Sequence, residues 1–207
     1  EEISRLDVII PPLTLKLKVP ISLDTQKPQV ARWGLKRGVR IINDIGGFRS
    51  PEMIEIAKEY QAAVIVMHMQ GQPRTMQAEP IYEDLIGEIF SFLHDRVKAL
   101  RAAGIQDIAV DPGIGFGKTL EHNLRILKNL AEFRKIGVPV AIGTSRKSFI
   151  GKINASPEDD RLAGSIASNI YAYGQGASIL RVHDVKETKA AIDLINAIES
   201  IPPAKPP

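Results

Sequence analysis

The sequence predicts an α/β fold, a (β/α)8 TIM barrel whose first two strands and their loops are expected to precede residue 1. Short apolar, β-branched runs alternate six times with helical patterns, which is typical of a parallel sheet with crossover helices. The runs begin about 32 residues apart, so eight units would need about 250 residues, whereas the chain has 207. Polar residues follow most runs, at the strand end that usually carries the site of such folds.

The predicted strands are β-branched runs too short for helices. They cover residues 19–24, 39–43, 62–69, 108–111, 138–143 and 177–183. One domain over residues 1–200 accommodates them, followed by a proline-rich tail at 201–207. The front of the chain holds no clear strand, because residues 1–10 resemble a helix that Pro11-Pro12 interrupts. The missing units are therefore assigned to the front.

Capping residues and a 3.6-residue periodicity mark the predicted helices between the runs. Helices are expected at residues 27–37 and 84–103, after Ser50, after Thr119, and from 185 to about 200. Gly38 and Gly104 end two of them, since glycine favours the position just after a helix. Asp184 and Glu187 are expected to form a capping box at the start of the last helix.

Composition excludes several classes of protein. The chain is 44% hydrophobic and 25% charged, and no apolar run approaches the roughly 20 residues of a membrane helix. The absence of cysteine excludes disulfides and thiolate sites and suits a reducing, cytoplasmic location. The net charge of +3 is too small to indicate nucleic-acid binding, and the first residues lack a secretory signal. We expect a globular protein that binds neither membranes nor nucleic acid.

Polar side chains gather where the predicted strands end. They include Asp24, Asn43, Asp44, His68, Asp111, Ser145, Lys147, Arg181, His183 and Asp184. The carboxyl ends of parallel strands meet at one edge, so these groups are expected to share one cleft. Each acid or amide taken alone could instead cap the following helix. Capping does not explain Lys147, Arg181 and His183 together, which indicates a functional cleft.

One segment nearly matches a nucleotide-binding P-loop: Asp111-Pro112-Gly113-Ile114-Gly115-Phe116-Gly117-Lys118-Thr119. Pro112 stands where the first required glycine would be, and it lacks the N–H that such a loop must supply. The dinucleotide-binding fingerprint also fails, because its last glycine comes one residue early. Three alternate glycines still indicate a tight loop that packs closely against something.

The histidines give weaker signals. His94 and His122 fall in predicted amphipathic helices and are expected at the surface or its boundary, whereas His68 could face the barrel interior. No two histidines have the spacing of a zinc site on a helix or strand. Ser145 and His183 with an acid would allow a catalytic triad, but the sequence has no Gly-x-Ser-x-Gly nucleophile elbow.

Several segments combine into a specific pattern with the 111–118 loop. They are Ile21-Ser22-Leu23-Asp24-Thr25, Ile41-Ile42-Asn43-Asp44-Ile45, Met67-His68-Met69-Gln70-Gly71 with Thr75-Met76-Gln77, Ser145-Arg146-Lys147-Ser148 and Arg181-Val182-His183-Asp184-Val185. Together they resemble the dihydropteroate synthase family, in order from about residue 19 to residue 198. The resemblance implies a transferase of folate biosynthesis, which joins para-aminobenzoate to the methylene carbon of a dihydropterin diphosphate and releases pyrophosphate.

The resemblance also implies roles for individual residues. The implied pterin-binding residues are Asp24, Asn43, Ile45, Met67, Asp111, Gly143 and Lys147. Those for pyrophosphate are Arg181 and His183, those for para-aminobenzoate are Pro112, Phe116, Lys147 and Ser148, and the catalytic ones are Lys147, Arg181 and His183. The chemistry suits them, because a pterin edge offers N–H donors and one carbonyl, which acids, an amide and a cation can satisfy.

Mg²⁺ and a homodimer are further implications of the resemblance. The family's metal-contacting Asn and a loop that closes over para-aminobenzoate are expected upstream of Glu1, so no metal ligand is assigned here. Two other functions stay open. A methyltetrahydrofolate-type pterin methyltransferase would share the pterin-facing acids but would have no use for Arg181 and His183, and a truncated pterin-binding module would lack catalysis.

Overall fold

Six parallel strands alternate with helices in the structure, a computed structural model that describes residues 1–71 and 80–203. The strands are β1 (Ser22–Asp24), β2 (Ile41–Asp44), β3 (Ala63–Met67), β4 (Ile108–Asp111), β5 (Ala141–Ile142) and β6 (Ile179–Leu180). All six predicted strands are confirmed, and most are shorter than the apolar run that predicts them. Residues 75–77 of the family-like motifs and 204–207 of the tail lie outside the described residues.

Nine α-helices are described within these ranges. They are α1 (Glu2–Asp7), α2 (Ile10–Lys16), α3 (Pro28–Leu35), α4 (Pro51–Glu59), α5 (Leu85–Ala102), α6 (Leu120–Lys128), α7 (Ser148–Asn154), α8 (Leu162–Gly174) and α9 (Val185–Glu199), with 3-10 helices at Leu130–Ile136 and Glu158–Asp160. The expected interruption at Pro11-Pro12 is wrong, because both prolines lie in the first turn of α2, where no N–H is needed. No described helix is long and apolar enough to cross a bilayer.

The strands follow one another in space as they do in sequence. β1 to β4 form a four-stranded parallel sheet, and β5 pairs with β6. A single bridge between Val110 of β4 and Val140 joins the two sheets. Sequential parallel order with a helical connection at each step is the arrangement of a (β/α) barrel wall.

The core lies between the sheet and the helices. Ile42, Val66, Val110 and Ile142 are buried on the helix-facing side of their strands. The 3.6-residue periodicity of α5 predicts one apolar face of seven residues. Five of them are buried, namely Leu85, Ile89, Leu93, Val97 and Leu100, and Ile86 and Phe90 pack against the core while partly buried. Because this side is sealed by helices, ligand chemistry is confined to the other face and to the loops.

Two helix starts show where local capping rules hold and where they fail. Thr119 caps α6 as predicted, and it forms a full capping box with His122. The box predicted at Asp184 is wrong, since that side chain makes no cap hydrogen bond to α9. Its carboxylate accepts instead from the Arg146 guanidinium, at 2.5 Å and 3.2 Å. An ion pair with a distant loop has replaced the local cap.

Candidate active site

The carboxyl edge of the larger sheet presents four side chains on one face. In the parallel register Asp24 lies beside Asn43, and Met67 lies beside Asp111. Asn43 also pairs with Ile65, which is two residues before Met67 and so shares its face. The two acids, the amide and the methionine that the sequence assigns to one pocket therefore project to the same side.

Asp24 joins this edge to the last strand. Its Oδ2 accepts from Asn43 Nδ2 at 2.9 Å and from an Arg181 guanidinium nitrogen, also at 2.9 Å. Both charged side chains are about half exposed, at 49% and 48%. A pair this exposed contributes about 0–1 kcal/mol, so a bound anion can compete for the Arg181 guanidinium.

Asp111 is the buried acid of the cleft, with 5% of its surface exposed. Burial raises its pKa, although the Gly113 N–H and the charges of Lys147, Arg181 and Lys118 all favour the carboxylate. Its Oδ1 accepts from Gly113 N at 2.7 Å. A carboxylate has more acceptor sites than this bond uses, so Asp111 can also receive hydrogen bonds from the ring N–H groups of a ligand.

Lys147 lies between the acids and the loop at 111–118. Its Nζ donates to the Ile114 carbonyl and lies 4.2 Å from the centre of the Phe116 ring. Burial lowers the pKa of this lysine to about 8, with Asp111 and Asp24 opposing the shift and Arg181 adding to it. The side chain is therefore mostly protonated at neutral pH, electrostatically coupled to the acids and in contact with the Phe116 ring.

The loop at 111–118 uses its amides internally. Gly113 N donates to Asp111, and Gly115 N donates to Asn123 Oδ1 at 2.7 Å. Gly113 has φ +75°, and a Cβ there would lie 2.0 Å from the His68 carbonyl oxygen, so only glycine fits. Two of the amides that a P-loop would offer to phosphate are thus already engaged, which supports the exclusion of that motif.

Ser145 and His183 contact each other after β5 and β6. Ser145 Oγ accepts from His183 N at 3.2 Å and lies 3.0 Å from His183 Nδ1. The acid next in sequence, Asp184, is paired with Arg146 rather than with the imidazole. The arrangement orients the His183 ring and leaves Nε2 on the far side of the ring from Ser145, which suits hydrogen bonding to an anion better than the activation of a nucleophile.

The backbone is strained beside this pair. Arg146 adopts φ +56°, an unfavourable conformation for a residue with a Cβ. Ser165 Oγ accepts from the Arg146 N–H at 2.9 Å, and the Arg161 guanidinium donates to the Arg146 carbonyl oxygen at 2.9 Å. These bonds and the ion pair to Asp184 hold a turn that directs Lys147 and Ser145 into the cleft, and such strain is typical of functional sites.

Two strand-end residues do not contribute to the cleft as the grouping predicted. Asp44 lies one residue beyond Asn43, so it points to the opposite face, where its carboxylate accepts from Gly46 N and Phe48 N at 2.7 Å each. It organises the turn after β2. His68 is buried, and burial with the nearby charges of Lys118 and Arg49 lowers its pKa to about 3, which makes it a neutral structural residue.

The remaining predicted site residues differ in burial. Pro112 and Gly143 are buried, Ile45 and Phe116 are partly buried, and Ser148 is exposed at the start of α7. A Cβ at Gly143 would lie 3.1 Å from Arg181 Nε, so the absence of a side chain there lets the guanidinium approach the backbone. The structure links Asp24, Asn43 and Arg181 by hydrogen bonds, and the roles of the other site residues stay predictions.

Sequence reasoning missed two residues that shape the site. Lys118 is buried at the end of the 111–118 loop, and the Tyr82 hydroxyl donates to the Gly117 carbonyl oxygen at 2.9 Å. Lys118 stands in a quoted motif, but only as part of a pattern. A lysine that ends a glycine-rich loop is the one signal that singles out Lys118 before the structure is known.

The chain is similar to proteins of known function along most of its length. Residues 1–183 match the family model described as "Pterin binding enzyme". The dihydropteroate synthase of Escherichia coli K12 is 42% identical over 199 residues, which are 95% of this chain and 71% of that protein. A dihydropteroate synthase from Stenotrophomonas maltophilia, solved with imidazole in its active site, superposes with a TM-score of 0.95 at 39% identity, covering 98% of this chain and 78% of that one.

The synthase of Thermus thermophilus has been solved with two ligands. The complex with 6HMPPP superposes with a TM-score of 0.92 at 38% identity, over 95% of this chain and 79% of that one. The complex with 4-aminobenzoate superposes with a TM-score of 0.92 at 39% identity, over 96% of this chain and 77% of that one. These similarities confirm the predicted TIM-barrel fold, whereas the two strands expected before residue 1 remain a prediction.

Proposed function

Because the chain belongs to the dihydropteroate synthase family of pterin-binding enzymes, we propose that it condenses a dihydropterin diphosphate with para-aminobenzoate. The products are dihydropteroate and pyrophosphate, and the enzyme is a transferase of folate biosynthesis. A cytoplasmic location is part of the proposal, in keeping with a sequence that has no cysteine.

The observation that carries the proposal is the hydrogen-bonded cluster of Asn43, Asp24 and Arg181 next to buried Asp111 and Lys147. Acceptors for a nitrogen-rich ring and cations for a polyanion occur within one cleft. A pterin methyltransferase needs the acceptors for the ring, but its reaction has no charged leaving group that would need the cations. The cluster therefore favours the synthase over that alternative.

The acids and the amide would bind the pterin edge. Asp111 and Asp24 accept from the ring N–H and amino groups, while the Asn43 amide and Lys147 can donate to the ring carbonyl and a ring nitrogen. Met67, Ile45 and the backbone at Gly143 would contact the ring itself. A ligand without these N–H groups would leave the buried Asp111 carboxylate unpaired, and this penalty gives the pocket its selectivity.

Arg181 and His183 would stabilise the leaving group. The amine nitrogen of para-aminobenzoate attacks the methylene carbon, the carbon–oxygen bond breaks, and diphosphate departs with the electron pair while the new amine loses a proton. Negative charge grows on the diphosphate during this step. A guanidinium and an imidazole N–H that bind the diphosphate would lower the barrier without a protein nucleophile.

Para-aminobenzoate would lie between the loop and the start of α7. Phe116 and Pro112 offer apolar surface to its ring, and the exposed Ser148 hydroxyl with the Lys147 ammonium can bind its carboxylate. Lys147 contacts the Phe116 ring on one side and is electrostatically coupled to Asp111 on the other. It is therefore placed to contact both substrates.

The proposal includes Mg²⁺, which would bind together with the diphosphate. The described residues contain no group of three or more His, Asp or Glu side chains that could hold a metal ion. The anion-binding end is built from Arg181 and His183, whereas Mg²⁺ prefers oxygen ligands. The residues present do not fit a Mg²⁺ site, and no step above depends on one.

The direct test is pyrophosphate release by the protein expressed from its complete coding sequence. In a buffer that contains Mg²⁺, we expect release with the dihydropterin diphosphate and para-aminobenzoate together, and none when either substrate is omitted. Dihydropteroate should form in equal amount, as measured by chromatography. Absence of pyrophosphate with all three present would overturn the synthase assignment, and methyl transfer from methyltetrahydrofolate would support the alternative.

A homodimer is the second part of the proposal. Helices α6, α7 and α8 enclose an apolar groove on the surface. Its lining includes Leu124, Leu127, Phe149, Ile150, Ile153 and Tyr171. Leu124, Ile153 and Tyr171 are 42%, 59% and 47% exposed, a concentration of apolar surface that is typical of an interface. A second copy can cover such a face symmetrically.

Ile153→Lys is expected to convert the dimer to a monomer, because a charge cannot be buried at such an interface without a partner. Light scattering after size-exclusion chromatography measures the mass directly. Leu194→Lys is the matched control, since Leu194 is 62% exposed on α9, outside the groove. A wild-type monomer, or a dimer that survives Ile153→Lys, would contradict the proposal.

A further inference from the structure

We propose that Lys118 is a positioning residue for the para-aminobenzoate pocket, because its ammonium group ties the Phe116 backbone to His68. This inference rests on the proposed function, since it concerns one of the two substrates. Lys118 leaves only 3% of its surface exposed. Its ammonium nitrogen bonds to the Phe116 carbonyl oxygen and lies within hydrogen-bonding distance of His68, so it acts through Phe116.

Burial of an ammonium group is unfavourable and needs compensating interactions. Moving such a charge out of water is unfavourable unless its N–H groups find acceptors. Burial lowers the pKa of Lys118 to about 7, with Lys147 adding to the shift and Asp111 opposing it. A methionine of similar length would avoid this cost, so the cation has a function that an apolar chain would not supply.

The acceptors show what the cation does. Lys118 Nζ donates to the Phe116 carbonyl oxygen at 2.9 Å, lies 3.2 Å from His68 Nδ1, and reaches the His68 carbonyl oxygen at 3.5 Å. An ammonium has three N–H groups, which matches this set. Because His68 stays neutral, its Nδ1 can accept in the tautomer that carries the proton on Nε2. One cation thus joins the loop after β4 to the end of β3.

The two segments are packed closely enough for this bond to control the loop. Besides the contact of Gly113 with the His68 carbonyl oxygen, a Cβ at Gly117 would lie 2.8 Å from the Gln70 carbonyl oxygen. Lys118 fastens the turn between these two contacts, at Phe116. The ring of Phe116 lies beneath Lys147 Nζ, so its placement sets the width of the slot for the aminobenzoate ring.

The test is Lys118→Met, measured by steady-state kinetics with 6HMPPP and para-aminobenzoate. We expect the KM for para-aminobenzoate to rise about tenfold, as for loss of one charge-assisted hydrogen bond, while kcat changes by less than about threefold. The Kd for 6HMPPP should stay within about threefold, because the pterin contacts lie elsewhere. Lys118→Arg keeps the charge and the donors and should restore most of the wild-type KM.

Controls separate positioning from stability and from a failure of the proposed function. Lys98→Met changes an exposed lysine of α5, away from the loop, and should leave every constant unchanged. If Lys118→Met does not fold, His68→Phe removes only the side-chain acceptor and should raise the same KM about threefold. A variant that melts earlier with an unchanged KM for para-aminobenzoate would overturn the proposal. An inactive wild-type protein would overturn the proposed function instead.

Discussion

Replacing Asp111 by Asn is expected to abolish binding of the dihydropterin. Asn keeps the size of the side chain and an acceptor oxygen for the Gly113 N–H. It loses the negative charge that faces Lys147 and Arg181, and it can present an NH₂ group to a ligand edge that itself carries N–H donors. Each unpaired buried group costs about 1–3 kcal/mol, so we expect affinity to fall at least about a hundredfold.

Calorimetric titration with 6HMPPP measures this effect, and melting temperature shows whether the variant folds. Because burial raises the pKa of Asp111, the charge is unfavourable in the empty protein, and the melting temperature should stay equal or rise. Asp107→Asn is the matched control: the same substitution on an exposed side chain, just before β4 begins. Unchanged pterin affinity in Asp111→Asn would refute its role.

Replacing Arg181 by Ala should slow turnover far more than it weakens pterin binding. The guanidinium is expected to act on the charge that develops on the departing diphosphate, and loss of one such donor typically lowers kcat about 10²–10³-fold. Binding of a pterin without phosphates should change by less than about threefold. Removal of Arg181 breaks an exposed ion pair and leaves the Asp24 carboxylate available to the ring, while Lys147 and Lys118 still favour the Asp111 carboxylate.

The measurement combines single-turnover kinetics with titration of the pterin alone and of 6HMPPP. Arg125→Ala, which removes an exposed guanidinium paired with Glu121 on α6, provides the control and should leave both quantities unchanged. A variant with normal turnover and lost pterin affinity would place the anion site elsewhere. Arg181→Lys should recover part of the rate, because a lysine supplies the charge without the bidentate fork.

Much of the fold could be predicted because its signals are local. The six strands alternate with helices at the predicted places, and Thr119 begins α6 with the capping box typical of helix N-termini. The prediction fails where a side chain has a choice between a local and a distant partner. Asp184 could have capped α9, but it pairs with Arg146, 38 residues away. Capping rules consider only neighbouring residues, so they cannot predict a partner that folding brings close from elsewhere in the chain.

The sequence also predicts which residue types stand at the strand ends, but it does not predict which of these side chains face the cleft. Asn43 and Asp44 are adjacent, so alternation along β2 sends one to the cleft and the other to the turn. Residue type does not indicate which one, because the answer depends on the register of β2 with its neighbours. In the structure the Asn43 amide donates to Asp24, and the Asp44 carboxylate accepts from the backbone N–H groups of Gly46 and Phe48.

The sequence by itself determined which chemical groups stand at the strand ends, since the periodicity of strands and helices is a property of neighbouring residues. Only the tertiary structure decided which groups meet. Asp24 and Arg181 are 157 residues apart in the chain, and Lys118 and His68 are 50 apart. Such contacts follow from strand order, register and the positive-φ turns of the loops, which together bring distant segments within a hydrogen bond of one another.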